Sequence, residues 1–569
     1  MDNIQISRIL YETAFWMEMA GENAFAIRAH SRAGTTIKRC GRPVTTLLRE
    51  KKLQTLPGIG AGLAKSIEEY VTTGKLQQLE ELRSQFPRSL YGLLRIPDLG
   101  TKSIRLFYET LGIATLESLK ENSLNGELAK LRGFGKKKIE KLLAGISFAE
   151  AQEGKFLLPR AERAAEEILT FLKTLPQLQK CAVTGDLRRY SVIVEELHFI
   201  VLSSEADTVL DALKEKYELQ PVEKNEKAFP VFQTPEGIPF HLSFVDEASH
   251  WIPLMLASTG CAEHLAQLKT LCKDNGISWE GHVLTDSAGK TLNFETEEAF
   301  YEALSQPAYP PEVREKIQLI SSDRPLDLVE SSDIRGLVHC HSTWSDGAHS
   351  VEEMALASSE LGYEYMLITD HSRSSVVANG LSEETIIEQH QEIDRLNVKL
   401  NGIRVLKGIE ADILRDGSLD YGDDILKTFD WVIASVHNGL DMTEKEATDR
   451  LIRAIEHPYT AALGHPSGRQ LLLRPAYDFD LEKILDAAVA NQVALEINAS
   501  PRRLDLDWRY IRLAAEKGVQ FIISPDAHRI AGLQNVRFGV AMARKGGLSS
   551  CQILNSRSEK EFLQWQKKP

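Results

Sequence analysis

The sequence has few cysteines, no long apolar segment and no leader-like amino terminus. Its six cysteines never form a C-x-x-C pair, as expected of reduced thiols and not of a disulfide framework or a zinc finger. A membrane-spanning helix needs about 18 or more apolar residues in a row, and the chain has no such run. The first residues, MDNIQISRIL, lack the charged, apolar and small-residue regions of a signal peptide. We therefore expect a soluble protein of the cytoplasm.

Basic residues are in deficit overall, but the deficit is unevenly distributed. The net charge of −14 argues mildly against nucleic acid as a ligand. Residues 1–150 carry 23 Lys and Arg against 16 Asp and Glu, a balance of +7, so the remainder carries −21. A basic front on an acidic chain fits a nucleic-acid-binding module joined to a domain that uses its carboxylates differently. At 569 residues the chain is too long for one hydrophobic core, so several domains are expected.

Three stretches of the front third repeat one pattern of apolar residues, tight turn and second helix. They are LQTLPGIGAGLAKSI (53–67), LLRIPDLGTKSIRLF (93–107) and LAKLRGFGKKKIEKL (128–142). Turn glycines leave backbone N–H groups beside a helix amino terminus, where a phosphate can bind without readout of sequence. The segments resemble helix-hairpin-helix DNA-binding motifs. Asp98 replaces the first glycine of the middle copy, so that copy is expected to be structural.

The first and third hairpins therefore supply the expected DNA contacts. These are Gly58, Gly60, Gly133, Gly135 and Lys136. The alternative is a set of ordinary helical hairpins whose glycines only turn the chain; three copies of the pattern disfavour it.

From residue 334 onward, short β-type apolar runs alternate with helical segments. Seven such runs predict a parallel α/β barrel, in which the carboxyl ends of all strands meet on one face. Almost every run ends in a side chain that can bind a metal. The nine candidates, predicted to be both metal ligands and catalytic residues, are His339, His341, Asp346, His371, Glu410, His437, His465, Asp526 and His528.

A mixed set of imidazoles and carboxylates without thiolates favours Mn²⁺, Zn²⁺ or Fe over Ca²⁺. Nine ligands are too many for one ion, so two or three divalent ions are predicted. Clustered ions of this kind promote phosphoester hydrolysis. A single histidine at a strand end can be an ordinary hydrogen-bonded polar residue with no metal. Nine candidate ligands at the same position in the fold argue against coincidence.

The motifs HCHSTWSDG, ITDHS, GIEADIL, SVHNG, GHPSGR, EIN and SPDAH resemble the PHP (polymerase and histidinol phosphatase) domain over residues 333–569. The resemblance implies one ion held by His339, His341, Glu410 and Asp526, with Glu410 bridging to a second. His437 and His465 would hold that second ion, and Asp346, His371 and His528 a third. It also places Arg469 of GHPSGR beside a substrate phosphate, unless Arg469 is an ordinary surface arginine.

With hairpins in front and a PHP domain behind, the whole chain resembles bacterial family X DNA polymerases. In that family the palm has a glycine-serine turn, two arginines and a strand with Asp-x-Asp. The segment TGDLRRYSVIVEELHFIV (184–201) keeps the glycine and the arginines, Arg188 and Arg189, which the resemblance assigns to substrate binding. Asp186 stands where a serine would meet the triphosphate, and a carboxylate repels that charge.

The palm lacks the metal-binding aspartates of the family. Their positions carry Glu196, His198 and His241, and nucleotidyl transfer needs carboxylates to hold two Mg²⁺ ions. We expect a retained fold with the polymerase reaction lost. The alternatives are a weak polymerase that uses Mn²⁺ at Glu196 and a new histidine-based metal site.

The resemblance implies a multidomain protein. It would have an α-helical helix-hairpin-helix front, an α+β family X palm and thumb, and a distorted seven-stranded α/β PHP barrel. The expected bounds are 1–85 for the first helical DNA-binding domain, 86–150 for a fingers-like hairpin domain, 151–246 for the palm, 247–318 for the thumb, 319–332 for a linker and 333–569 for the barrel.

The expected function is a DNA-repair phosphoesterase, a monomer that acts on gapped, nicked or 3′-ended DNA. The family's PHP domain implies Mn²⁺-dependent removal of nucleotides from 3′ ends; cleavage at abasic sites or of 3′ phosphates would use the same chemistry. A gap-filling polymerase with an accessory exonuclease, a phosphatase of small phosphate esters and a non-enzymatic DNA-binding scaffold are the alternatives.

Overall fold

A computed structural model describes residues 3–219, 230–315 and 326–565 of the chain. The chain forms two compact units, one of residues 1–153 with 346–350 and one of residues 154–345 with 351–569. Among the described residues, no helix combines the length and the apolar character needed to span a bilayer. The expected six-part division stays a prediction, and residues 319–325 of the expected linker lie outside the described residues.

The first unit is helical. Its α-helices span Asn3–Met19, Ala24–Arg39, Val44–Arg49, Ala61–Thr73, Gln77–Ser84, Ser89–Gly92, Thr101–Leu111, Leu116–Leu124 and Lys136–Ala151. The rings of Phe107 and Phe134, from the second and third hairpins, meet edge to face with centroids 4.9 Å apart in its core.

Each predicted hairpin has its turn and its second helix, but the segment before the turn differs from the expected helix. It is one 3₁₀ turn: Leu53–Thr55, Leu93–Arg95 or Leu128–Lys130. In the first two copies the next residue precedes a proline, which disfavours helical backbone at that position. Leu56 and Ile96 are extended accordingly, so the helical turn stops there.

The second unit begins with a palm-like sheet. Its strands are β1 (Phe156–Leu157), β2 (Lys180–Thr184), β3 (Ile193–Val194), β4 (Leu197–Leu202), β5 (Glu218–Leu219), β6 (Phe232–Gln233) and β7 (Pro239–Val245). β1 and β3 form a separate pair, and the main sheet has the order β2-β4-β7-β6-β5, with β4 and β7 parallel. Helices Leu158–Leu172, Gly185–Arg188 and Ala206–Lys216 belong to this part.

A small thumb-like part follows the palm sheet. It contains helices Trp251–Thr259, Ala262–Asp274 and Glu297–Ala303, and the hairpin of β8 (Ser278–Glu280) and β9 (Val283–Thr285). 3₁₀ turns span Ala248–His250 and Pro311–Val313.

The rest of the unit is a parallel barrel. Its strands are β10 (Gly336–Cys340), β11 (Tyr365–Ile368), β12 (Arg404–Asp412), β13 (Trp431–Ser435), β14 (Ala462–Leu463), β15 (Ala494–Asn498) and β16 (Phe521–Ser524). They pair in chain order, and an isolated parallel bridge between Cys340 and Ala527 brings the first strand beside the segment after the last. The barrel is thus nearly closed, and its strand ends converge on one face.

Helices surround the barrel strands. They span Val351–Glu360, Glu383–Lys399, Asp423–Leu426, Glu444–Ile455, Leu481–Asn491, Trp508–Glu516, Val536–Lys545 and Glu559–Trp565. 3₁₀ turns span Ser331–Asp333, Val376–Ala378, Ile530–Asn535, Ser550–Gln552 and Leu554–Ser556.

Helix Val536–Lys545 joins the barrel to the palm and thumb. The buried Lys545 ammonium donates to the Arg189 carbonyl oxygen at 2.8 Å and to Glu315 Oε1 at 2.7 Å. Arg537 forms a bidentate pair with Glu162 at 2.6 and 2.8 Å. The described end of the expected linker also packs here, since Val329 is buried and its amide donates to the Leu548 carbonyl oxygen at 2.9 Å.

Candidate metal centre

The nine predicted ligands lie in or directly after the barrel strands. His339 and Glu410 are within β10 and β12, and the others follow β10, β11, β13, β14 and β16. Because parallel strands end at one face, residues almost two hundred positions apart in sequence meet in space.

The Glu410 carboxylate lies at the middle of this set and is 1% exposed. Four imidazole nitrogens approach its oxygens: His465 Nε2 at 2.9 Å, His371 Nδ1 at 3.0 Å, His437 Nε2 at 3.1 Å and His339 Nε2 at 3.3 Å. Predicted ligands from five strands thus meet at this single carboxylate.

Eight of the nine predicted ligands form three overlapping groups, each with all its ligand atoms within 4.8 Å of one another, and His465 belongs to none of the three. The groups are His339, His341 and Asp526; His371, Glu410 and His437; and His341, Asp346, His371 and His528. The family-based assignment differs from these groups in two ways. Glu410 is grouped with His371 and His437 and not with His339, His341 and Asp526, and His341 and His371 each belong to two groups. The predicted count of two or three ions fits this arrangement.

The charges and unpaired atoms of the centre fit divalent cations. Burial alone would lower the pKa of His437, but Glu410 and Asp412 raise it to about 10. Burial would likewise raise the pKa of Glu410, whereas His437 and His339 hold it well below its usual value. Among the described residues, His339 Nε2, His341 Nε2 and Glu410 Oε2 are buried, and the close charged neighbours of these atoms are not aligned for hydrogen bonds. Such atoms cost free energy unless a cation or another partner binds them.

Buried carboxylates behind the centre orient its histidines. Glu496 binds Nδ1 of His339, and Asp412 binds Nδ1 of His437, so in each ring Nε2 faces the centre. Such contacts fix the tautomer of a metal-binding histidine. Neither Glu496 nor Asp412 is among the predicted site residues, although they lie in the motifs EIN and GIEAD of β15 and β12.

Three of the ligands adopt left-handed backbone conformations that L-residues seldom populate. The φ angles are +62° for His339, +26° for His465 and +48° for Asp526. Strained backbone of this kind collects at functional sites, where the surrounding packing maintains it.

Arg469 and Arg503 contact each other, and Arg503 reaches the centre. The predicted phosphate ligand Arg469 is held by the carbonyl oxygens of Arg503 and Leu504 and by Asp507. Arg503, which the sequence analysis did not single out, places Nε 3.4 Å from Asp526 Oδ2 and is 15% exposed. An arginine beside a ligand carboxylate can also meet a phosphate.

The palm arginines are engaged by carboxylates. Arg188 donates to both oxygens of Glu297, at 2.6 and 3.1 Å. Arg189 contacts Asp186 and Glu315. Their predicted role in substrate binding stays a prediction, and the structure shows both in ion pairs that hold the palm to the thumb.

The three residues at the expected polymerase metal positions also lie together. Glu196 Oε1 is 2.9 Å from His198 Nε2, and Glu196 Oε2 is 3.9 Å from His241 Nδ1. Burial and the neighbouring His198 lower the pKa of His241. The three ligand atoms lie within 4.8 Å of one another.

The hairpin turns share one backbone geometry. Gly58 and Gly133 have φ of +77° and +89°, and Asp98 adopts +62° at the same place in the middle copy. Gly60 and Gly135 directly precede the second helices, which begin at Ala61 and Lys136. A methyl group added at any of the four glycines would meet no described atom within 4 Å, so these turns are open.

Comparison with known proteins agrees with this architecture. Four family models match: a helix-hairpin-helix domain over residues 1–76, a SAM-like helix-hairpin-helix tandem over 91–147, a DNA polymerase beta thumb over 254–315 and a PHP domain over 338–500. The chain is 36% identical over 569 residues to the DNA polymerase/3′-5′ exonuclease PolX of Bacillus subtilis, covering 99% of this chain and 98% of that protein. The chain belongs to the PHP-containing family X DNA polymerases.

Membership in family X confirms the predicted family and fold class.

The barrel alone also resembles phosphatases. A probable phosphatase of Caldicellulosiruptor bescii is 32% identical over 199 residues, which cover 33% of this chain and 78% of that protein. One from Photobacterium profundum is 31% identical over 238 residues, covering 40% and 92%. The PHP domain and its clusters indicate metal binding.

Proposed function

We propose that the PHP barrel of this family X protein is a Mn²⁺-dependent 3′–5′ exonuclease of DNA repair, working as a cytoplasmic monomer on gapped or nicked DNA. We further propose that its polymerase site is silent or very weak. The observation that carries the first part is the contact of the buried Glu410 carboxylate with four imidazoles from four other barrel strands. A relative that matches almost the whole chain bears the name DNA polymerase/3′-5′ exonuclease.

The ligand chemistry of the two sites supports this division of activity. In the barrel, oxygens of Glu410 and Asp526 lie 3.3 and 3.9 Å from His339 Nε2. The palm offers one carboxylate and two imidazoles, whereas two-metal nucleotidyl transfer relies on carboxylates to hold its ions.

The chain's own residues would bind and orient the DNA end. Glu496 and Asp412 keep the histidine rings turned toward the centre. Arg503 is placed to meet the charge of a phosphate at the same centre. Divalent ions held by the nine ligands would supply Lewis-acid polarisation of a phosphoryl oxygen and activate water near neutral pH.

The hairpins support a DNA substrate over a small phosphate ester. Their exposed turns and the exposed Lys136 at the start of a helix suit sequence-independent phosphate contacts. The likeness of the barrel to probable phosphatases makes removal of a 3′ phosphate a second candidate, since it uses the same chemistry.

The test uses a gapped duplex with a 5′-labelled primer, Mn²⁺ and all four dNTPs. We expect shortening of the primer from its 3′ end, and loss of that shortening in H341A. The control, H457N, changes a barrel histidine that pairs with Asp423 outside the centre and should retain activity. Primer extension that persists in H341A would refute the silent polymerase site.

A parallel reaction with a 3′-phosphorylated primer separates exonuclease from phosphatase. Release of inorganic phosphate without shortening would assign the barrel to phosphatase chemistry. Nucleotide release from the 3′-hydroxyl primer would support the exonuclease.

A further inference from the structure

A second group of metal-capable side chains lies on the palm sheet, outside the barrel. β4 and β7 are adjacent parallel strands, and their register pairs His198 directly with His241. Residues paired in this way point to the same face of a sheet. Their ring centroids are 4.1 Å apart.

Glu196 completes the group from the residue before β4. Its two oxygens face the two rings, one at 2.9 Å from His198 Nε2 and the other at 3.9 Å from His241 Nδ1. Within residues 3–219, 230–315 and 326–565, these histidines are the groups with which Glu196 forms ion pairs. The carboxylate charge is therefore directed at the two imidazoles.

We propose that Glu196, His198 and His241 bind one divalent transition-metal ion, such as Zn²⁺, Co²⁺ or Mn²⁺, on the palm sheet. Two imidazoles and one carboxylate suit these cations, whereas Mg²⁺ prefers an all-oxygen shell. One ion is expected, because the group offers three ligand atoms within 4.8 Å of one another.

The site is accessible and leaves room for a further ligand. The side chains of Glu196, His198 and His241 are 47%, 32% and 22% exposed. Three protein ligands leave at least one coordination position to water or to an oxygen of a bound anion. The ion would tie β4 to β7, and its binding is independent of the nuclease proposed for the barrel.

The test counts metal ions bound to the full-length protein. Chelator-stripped protein is dialysed against Co²⁺, and bound cobalt and its visible absorption are compared with those of an H198N/H241N variant. We expect the variant to bind one fewer Co²⁺ per chain and to lose part of the absorption. The control H282N, a substitution of an exposed histidine outside the group, should bind the full number.

Equal numbers of bound Co²⁺ in the wild type and in H198N/H241N would overturn the proposal. A difference of the same size after dialysis against Mg²⁺ would overturn the assigned metal class.

An E196Q variant keeps the test decisive if the double variant does not fold, because Glu196 is about half exposed. Loss of one of three ligands should weaken Co²⁺ binding at the palm by at least about tenfold. Unchanged affinity in E196Q would refute the site.

Discussion

Glu410 stays ionised in the barrel because imidazoles surround it. Full burial would raise the pKa of a carboxyl group, yet His437 and His339 hold the pKa of Glu410 well below the ordinary value. The carboxylates act on the imidazoles in the same way. Burial would lower the pKa of His339, but the charges of Glu496 and Glu410 raise it. Each residue of the centre therefore depends on the charge of the others.

Replacing Glu496 by Gln should weaken metal binding without removing a ligand. The Glu496 carboxylate accepts hydrogen bonds from His339 Nδ1 and from the backbone amide of His465. E496Q removes the negative charge that orients and polarises these two donors. We expect the Mn²⁺ concentration for half-maximal exonuclease activity to rise about 10- to 100-fold. Manganese titrations of the 3′ exonuclease reaction measure this.

The matched control is E482Q, which changes an exposed carboxylate of helix Leu481–Asn491. An unchanged manganese requirement in E496Q would show that Glu496 does not support the centre.

Glu297 makes a second buried ion-pair network, between the palm and the thumb. Burial favours the neutral acid, but hydrogen bonds from Arg188 and Arg314 lower the pKa of Glu297 to about 2. The charged carboxylate therefore stabilises the fold above the unfolded-state pKa of 4.5, and this stabilisation is lost as the pH falls toward about 2.

E297Q should lower the free energy of unfolding by about 3–5 kcal/mol at neutral pH, since Arg314 is 2% exposed and loses its counter-charge. The loss of unfolding free energy relative to wild type should be complete above about pH 4.5 and become smaller as the pH falls below that value. Denaturant titrations at several pH values measure both effects. E298Q, at the neighbouring exposed position, is the control, and a pH-independent deficit would contradict the assignment.

At the scale of elements, parallel strands made the barrel centre predictable. A run such as WVIASVH or FIISPDAH shows both the buried strand and the candidate ligand that follows it, because the topology sends all such ends to one face. The overlap of the groups at His341 and His371 was not predictable, because it depends on ring positions that spacing does not specify. Glu496 was missed for a related reason: its contact is with a ring on another strand.

The hairpins show the limits of the same reasoning. The glycine turns and second helices follow the predicted pattern, but Leu56 and Ile96 precede prolines and end the first segment as a 3₁₀ turn. Asp98 was expected to weaken DNA contact through its charge, and the structure adds that it adopts the left-handed backbone of the glycines it replaces.

Lys136 lies exposed in the first turn of the third hairpin's second helix. K136A should weaken binding to gapped duplexes by the same factor whatever their sequence. It should also reduce the slope of log affinity against log salt concentration by about 1. Fluorescence anisotropy at several salt concentrations measures this. K560A, at an exposed position of helix Glu559–Trp565, should bind like wild type. Equal salt slopes for K136A and wild type would exclude a phosphate contact.

At the scale of the whole molecule, palm, thumb and barrel share one compact unit. The sequence predicted these parts separately but not the contacts that join them. Lys545, at the end of a barrel helix, reaches Arg189 of the palm and Glu315. From the sequence, a lysine at a helix end is expected to be solvated. The packed structure shows that Lys545 is only 5% exposed.

K545M should destabilise this unit by about 1–3 kcal/mol, because Glu315 loses one of its two cationic partners and the Arg189 carbonyl oxygen loses a donor. Thermal unfolding of the full chain, with K560M as the control, measures the effect. Equal melting temperatures for K545M and K560M would show that the Lys545 contacts contribute nothing to stability.

The Lys545 contact also restricts how these parts can be exchanged during evolution. A barrel transferred from a relative without this lysine would meet a carboxylate at Glu315 that has lost part of its counter-charge. A thumb without Glu315 would leave the buried lysine without this carboxylate partner. Through the Lys545 contact the polymerase frame takes part in the packing of the barrel, and this gives a physical reason to keep that frame even where its own reaction is silent, as we propose for this palm.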